Sequence, residues 1–571
     1  MLTKVRQWFP IAVSAVVMTS CSGFLEVDSP NEITDDKFWN EKSDVDNMVM
    51  GCYDGLHSEP VIRRMMVWGE FRSDNVSTGL NIDKDPSLEN IFKENLNASN
   101  AYTSWVSFYN VINSCNLVLL KAPKVAKKDL SYTESELRAT EAEMSAIRDL
   151  CYFYLIRTFR DVPYSTQAFV SDDQLMALPA TKFNVVLDSL ISDLEHVKGS
   201  AVKRYPVTKK NYQTGRITLD AIHSMLCEMY LWKQDYQNCI KYADLVIDAK
   251  KKENEELQNS ASGTNKKDNL NGFPLVVNSV MDNYYGNAYR QVFGVGNSQE
   301  SIFELTFGKG DDNMPQNGAE NALYGNAVSW VGYAAPSTFV SDDVRSKQFR
   351  LFKNKYDARG YQSIDLSSSR PGIAKYIFND ITINATGSDL EAFYSGLYPE
   401  NKCKGNWIIY RLSDIMLMKA EALTQLMKDG SDADALAYNE SKLKEAFALV
   451  NAVNKRSVCQ TTLKDTLVAN DYKTKSTMNE LVYQERQREF LFEGKRWFDL
   501  VRRSRRDGNT EFLSTQVLQK YTDNISVIQS KLSKIDAIYW PYNIEDIKVG
   551  NLHQNPAFGS GENGNYEKTN K

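Results

Sequence analysis

Metal-ligand spacing is missing from this 571-residue chain. Its four histidines, His57, His196, His223 and His553, lie far apart. There is no HExxH and no Asp-rich loop, so no catalytic metal and no other cofactor is expected. Gly-x-Ser-x-Gly is absent, which leaves a serine-nucleophile hydrolase unsupported. Gly308-Lys309 lacks the pattern of a phosphate-binding loop. None of the eight cysteines forms a CxxC pair, so disulfide-framework and zinc spacings are missing too. A basic excess is also lacking. The formal net charge is -6, which argues against a nucleic-acid partner.

What is present is ordinary globular composition, 42% apolar and 25% charged, with many aromatics: 30 Tyr, 25 Phe and 9 Trp. The length allows two or more domains or one large helical body. Lys4 and Arg6 precede an apolar run, Trp8 to Met18. That run is too short to span a bilayer, which takes roughly 20 residues, and reads as a secretory signal. It ends Val17-Met18-Thr19-Ser20-Cys21, which resembles a bacterial lipobox. Residues 1–20 are therefore expected to be a lipoprotein signal peptide. Cys21 is the expected lipid anchor, its acyl chains supplying membrane affinity. No later run of about 18 apolar residues follows that could span a bilayer.

Helical periodicity runs through several segments. Met144, Ile147, Cys151 and Tyr154 recur on one face of a helix that Asp161-Val162-Pro163 should end. Leu219, Ile222, Leu226 and Met229 form one stripe, and Tyr236, Ile240, Ala243 and Ile247 a second. The polar turn Lys233-Gln234-Asp235 between them predicts a helical hairpin of tetratricopeptide type. Further pairs are predicted at 100–120 with 135–160 and at 411–428 with 439–456. Cys115, Cys151 and Cys227 fall in apolar helical stretches and are expected to be buried thiols. The segments 251–297 and 307–405 lack periodicity and are expected to be long loops, either functional or floppy. Short strands are expected at Ser301–Leu305 and Ile373–Phe378. The expected fold class is thus mainly α: tetratricopeptide-like hairpins as a scaffold, with a loop-rich second region containing a few short strands. The expected division is a helical region, 21–300, followed by 301–571 with ligand-side loops and further helices.

Five ordered segments resemble the SusD/RagB family. They are Cys21 through Phe38-Trp39, Glu141 to Tyr164 ending Arg160-Asp161-Val162-Pro163-Tyr164, Gly215-Arg216-Ile217-Thr218, Arg411 through Ala422, and Glu485 through Leu500. The last, with Glu493-Gly494-Lys495-Arg496-Trp497-Phe498-Asp499, is highly specific. Tyr539-Trp540-Pro541-Tyr542 and Gln554-Asn555-Pro556 also match. Arg160 stands where a glycine is usual, and Ser413 where alanine is. The resemblance implies a lipid-anchored, outer-membrane glycan-binding protein facing the cell exterior. It would deliver nutrient to a SusC-like TonB-dependent barrel without cutting it.

Glu485, Glu489 and Glu493 share a helix face. A glycosidase needs two carboxylates across a cleft, whereas arginines interleave these. An ion-paired network is expected, with Trp497 and Phe498 in the core. Arg502, Arg503, Arg505 and Arg506 are expected to be a solvated helix end, and Trp105 with Tyr109 to belong to the core. Sugar rings want Tyr or Trp faces, and their hydroxyls want Asp, Asn and Arg, all carried on loops. Candidate glycan-binding residues are Tyr324, Trp330 and Tyr333 in one cluster and Arg72, Asp74 and Asn75 in another. Tyr284 and Tyr285, with Tyr289 nearby, make a third. Two rival readings are a repeat scaffold that binds only its transporter or a peptide, and an exported glycoside hydrolase.

Overall fold

The computed structural model describes residues 38–559 apart from 171–173, 175–177, 210, 261–269, 271, 278–283, 309–315, 326–331, 354, 368–369, 387–389, 398–403 and 460–466. The expected anchor Cys21 and the expected stacking residue Trp330 both lie outside the described residues.

Helices form the scaffold. They are α1 Lys42–His57, α2 Val106–Lys128, α3 Glu134–Phe159, α4 Phe183–Val197, α5 Leu219–Lys233 and α6 Tyr236–Ser260, then α7 Leu412–Gln425, α8 Ala433–Arg456, α9 Lys475–Glu489 and α10 Arg496–Asp507. The predicted hairpins appear as the pairs α2–α3, α5–α6 and α7–α8, each packed along its length, and α7 also lies against α6. Local signals set the boundaries. Thr133 and Glu136 form a reciprocal capping box at the start of α3. Arg160, at φ 72°, ends that helix one residue before Asp161-Val162-Pro163. Gln234 takes the left-handed conformation, φ 64°, between α5 and α6, and its N–H closes back onto Leu231 O. Cys115, Cys151 and Cys227 are buried and free. Trp105 and Tyr109 pack edge to face in the core.

The strands are short, and those used below are β1 Val76–Thr78, β2 Tyr284–Tyr285, β3 Ser301–Leu305, β4 Ala334–Pro336, β5 Phe378–Asn384, β6 Glu391–Leu397 and β7 Trp407–Arg411; two further pairs join Val162–Pro163 to Ala180–Thr181 and Ile364–Asp365 to Gly372–Ile373. β1 pairs with β4, β3 with β7, and β6, β5 and β2 form a three-stranded sheet. Two expectations change here. The predicted strand Ile373–Phe378 is interrupted, because residues 375–377 form a turn with Tyr376 at φ 72°. The segments read as aperiodic hold regular structure: α6 runs on to Ser260, and β5–β6 is an antiparallel hairpin. Alternation over seven residues is too short to stand out in a Gly- and Ser-rich stretch.

Candidate functional site

The site is built in two layers, a buried ion network and a loop ribbon above it. The network starts from α9, which carries Glu485 and ends at Glu489. Glu493, which its spacing places on the same face, lies not on that helix but in the turn that leads to α10, and all three are nearly inaccessible. Arg359 reaches Glu485 at 2.7 Å, Glu489 at 3.0 Å and Asp357 at 2.7 Å. Arg411 holds Glu493 at 2.8 Å and also bonds Glu489. Arg456 bridges Glu300 and Glu489. Lys375 meets Glu493 at 2.8 Å, and Arg488 meets Glu485 at 2.6 Å. Beside this, Asp414 is shared by Arg486 and Lys495, and Glu421 and Asp499 are held by Arg502.

Burial pushes the Glu489 carboxyl up, but the guanidiniums of Arg456, Arg411 and Arg359 outweigh it and hold it well below the usual range. Glu485 and Glu493 are likewise lowered by their cations against the effect of burial. A general acid needs the opposite shift. These carboxylates therefore lock helices together, as their interleaved arginines imply.

The basic run at the end of α10 departs from expectation. Arg502 is buried against Glu421, Arg503 lies 3.3 Å from the centre of the Phe512 ring, and Arg505 lies 3.8 Å from that of Phe183. It is thus not a solvated end. Each guanidinium covers an aromatic face or pairs with a carboxylate, which sequence spacing does not reveal.

The two loop clusters, some 250 positions apart in sequence, do meet. β1 and β4 pair antiparallel, Val76 opposite Pro336 and Thr78 opposite Ala334. The ladder continues past the strands: the Gly79 N–H donates to Tyr333 O at 2.7 Å and Asn81 N–H to Gly332 O at 3.2 Å. A Cβ at Gly79 would sit 2.3 Å from Gly332 O, and one at Gly332 2.5 Å from Tyr324 C. Only glycines permit this approach.

The polar residues of the first cluster face inward, which corrects their expected role. Asp74 is fully buried and receives both Nε and Nη2 of Arg496 at 2.8 Å. Asn75 donates to Glu70 at 2.6 Å and accepts from Gln487 at 2.9 Å. Arg72 is clamped by Glu94 and by the carbonyls of Ala537 and Ile538. A polar triplet beside a helix end looks ligand-ready in sequence, but here its partners are Glu70 and Glu94 nearby together with Gln487, Arg496, Ala537 and Ile538, more than 400 positions away. Tyr324 is also buried, and its hydroxyl donates to Phe492 O at 2.9 Å. Tyr285 is buried in the three-stranded sheet, and Tyr289 donates to the carbonyls of Ala374 and Phe378. None of Arg72, Asp74, Asn75, Tyr324 and Tyr285 can stack on or bond to a surface ligand without unpacking the core. The side chain of Tyr284 lies outside the described residues.

Tyr333 alone of the described candidates is part-exposed. Its neighbours Thr78, Leu80, Asn81 and Asp83 are exposed or part-exposed; they fall in the polar loop that follows the first cluster up to Tyr102, but sequence reasoning named none of them singly. The Gly79 between them was the available signal. The ribbon is tied to the network below: Ser337 N–H donates to Asn75 O at 2.9 Å and Ser337 Oγ to Asp74 O at 2.6 Å. Glu70 completes the junction by accepting the Gly494 N–H at 3.1 Å. Burial raises the Glu70 carboxyl to about 7, and the bonds from Asn75 and Phe492 only partly oppose this.

Two family patterns match the chain. One, described as "Starch-binding associating with outer membrane", covers residues 23–231, and the SusD family pattern covers 388–558. The chain belongs to the SusD/RagB family. Among curated SusD relatives, SusD-like protein P38 of Formosa agariphila is 26% identical over 86% of this chain and 90% of its own. SusD-like protein P25 of the same organism is 23% identical over 85% and 87%. A SusD superfamily crystal structure from Bacteroides thetaiotaomicron superposes with a TM-score of 0.62 at 20% identity, covering 91% of this chain and 99% of that one. A structure described as a laminarin-binding SusD-like protein superposes with a TM-score of 0.57 at 17% identity, over 91% and 100%. The mainly helical fold with small sheets is that of the SusD superfamily.

Proposed function

We propose that this chain is a non-catalytic glycan-binding lipoprotein of the outer membrane. It is anchored through Cys21, faces the cell exterior and delivers oligosaccharide to a SusC-like TonB-dependent barrel. The observation that carries the reading is the β1–β4 ribbon, on which two loop clusters distant in sequence converge over a buried ion-pair network. Binding sites need pre-organised supports, and a ribbon clamped at Asp74 and Asn75 supplies one. The ligand contacts are assigned to Tyr333 and Trp330 as ring platforms, with Thr78, Asn81 and Asp83 bonding hydroxyls. The description of the N-terminal family pattern and the laminarin-binding neighbour support a glycan as ligand. No cofactor and no nucleic acid enters this reading.

Calorimetric titration of the purified chain with maltohexaose and laminarihexaose, compared with its Trp330→Ala and Tyr333→Ala variants, tests the assignment. Weakening by about tenfold or more in either variant is expected if the ring is a central contact. Unchanged affinity in both variants would overturn it.

A further inference from the structure

We propose that the chain carries a second saccharide subsite, in the groove between α3 and α4 and separate from the ribbon. This groove has a volume of about 930 Å³, within the range of ligand-sized clefts. None of its lining residues belongs to the ribbon.

Its floor is a pre-organised guanidinium. Arg148 is nearly buried on α3. It donates Nη1 to Asn116 Oδ1 at 3.1 Å, pairs through Nη2 with Asp193 of α4, and lies 3.4 Å from Asp149. Behind it Asp149 is fully buried, and its second carboxylate oxygen has no hydrogen-bond partner. One wall is Tyr164, which closes the Asp161-Val162-Pro163-Tyr164 motif and packs its ring 4.8 Å from that of Tyr152. Ser189 and Ser192 of α4 also line the groove; the Ser189 hydroxyl donates to Val185 O at 2.9 Å, and Ser192 is exposed.

This lining selects the class of ligand. Both arginines of the lining are already committed to carboxylates of the chain, Arg148 to Asp193 and Asp149 and Arg138 to Glu134 and Glu141, and Asp188 is paired with Lys233. An anionic partner therefore gains little net Coulomb energy on entering. What remains is hydroxyl groups, carboxylate lone pairs and one ring face, the equipment for a neutral, polyhydroxylated ligand. Apolar Leu119 and Val185 at the margin offer contact to the C–H faces of a sugar. A groove of this size takes a short run of sugar units. A chain with two such sites would hold a long glycan at two points and raise its effective affinity without new contacts at either.

The test is hydrogen exchange read by mass spectrometry on the full chain, with maltohexaose, laminarihexaose and xylohexaose each titrated to its solubility limit. At least one sugar is expected to slow exchange in the segments around Tyr164 and 185–200. Ser192 is exposed, so Ser192→Trp should fold normally, fill the groove and weaken that protection by about tenfold or more, as loss of one or two hydrogen bonds implies. Ser192→Thr should keep it, and Tyr333→Ala should remove protection on the ribbon only. If no sugar protects the groove while the ribbon responds, the second subsite is refuted and the first reading stands. If neither responds, both fall. Protection of the groove only when a partner barrel is added marks a protein interface and also refutes the subsite.

Discussion

Replacing Glu489 by Gln removes one negative charge from the centre of the network and keeps the side chain's shape. Around it five cations, Arg359, Lys375, Arg411, Arg456 and Arg488, face five carboxylates, Glu300, Asp357, Glu485, Glu489 and Glu493. The variant leaves one uncompensated cation in a buried site. It also turns an acceptor towards three guanidiniums into an amide whose NH2 must face them. Each arginine keeps a second carboxylate, Asp357, Glu493 or Glu300. The loss is therefore that of one partner in a buried set, about 3–5 kcal/mol. Unfolding entropy of about 2.1 cal/mol/K per residue comes to about 1 kcal/mol/K for a chain this long, so Tm should fall by about 3–5 °C. Differential scanning calorimetry reads this directly. Glu480→Gln, half-exposed on the same helix, is the control and should change stability by at most about 0.5 kcal/mol. A Glu489→Gln protein as stable as the control would refute the network's role. A glycan-cleaving activity lost in Glu489→Gln at unchanged stability would restore the catalytic reading.

Further predictions follow from the same contacts. Burial pushes the Asp414 and Glu421 carboxyls up, but their cations prevail and hold both at about 2. The stability each contributes is fully present above the unfolded carboxylate values and is lost as pH falls towards 2. It comes to about 2–3 kcal/mol per group, and urea midpoints measured from pH 6 down to pH 2 should show the decline. Glu70 acts in the opposite sense. Between its unfolded value of 4.5 and about 7 the native state keeps a proton that the unfolded chain releases, so its contribution falls as pH rises through that window and levels off above it. In Glu70→Gln the slope of stability against pH from 5 to 7 should lose that component, and an unchanged slope would contradict the assignment. Gly69 meets Gly494 so closely that a Cβ would lie 1.8 Å from Gly494 O. Gly69→Ala should therefore cost about 4 kcal/mol or more and sharply reduce the soluble folded yield, read by size-exclusion chromatography.

Much of the scaffold was legible in the sequence because its signals are local. The α5–α6 hairpin is written in two apolar stripes and a polar turn, and the end of α3 in Asp161-Val162-Pro163. The structural role of Glu485, Glu489 and Glu493 could be read from the arginines between them. What was not legible depends on distant partners. Nothing near Asp74 announces that Arg496 and Gln487 will enclose it, and nothing near Tyr324 announces the carbonyl of Phe492. Loop composition therefore singled out two segments that the structure pairs, but most of the side chains it named there, Arg72, Asp74, Asn75 and Tyr324, are buried. The β1–β4 pairing joins them through backbone bonds, which leave no trace in residue type apart from Gly79 and Gly332.

The most direct test of the account is one vessel containing the purified chain and a hexasaccharide it binds, followed by calorimetry for uptake and by chromatography for the length of the sugar afterwards. The account predicts saturable binding that weakens in Trp330→Ala and Tyr333→Ala, with every sugar recovered at full length. Recovery of shortened sugars, or binding indifferent to both substitutions, would contradict it.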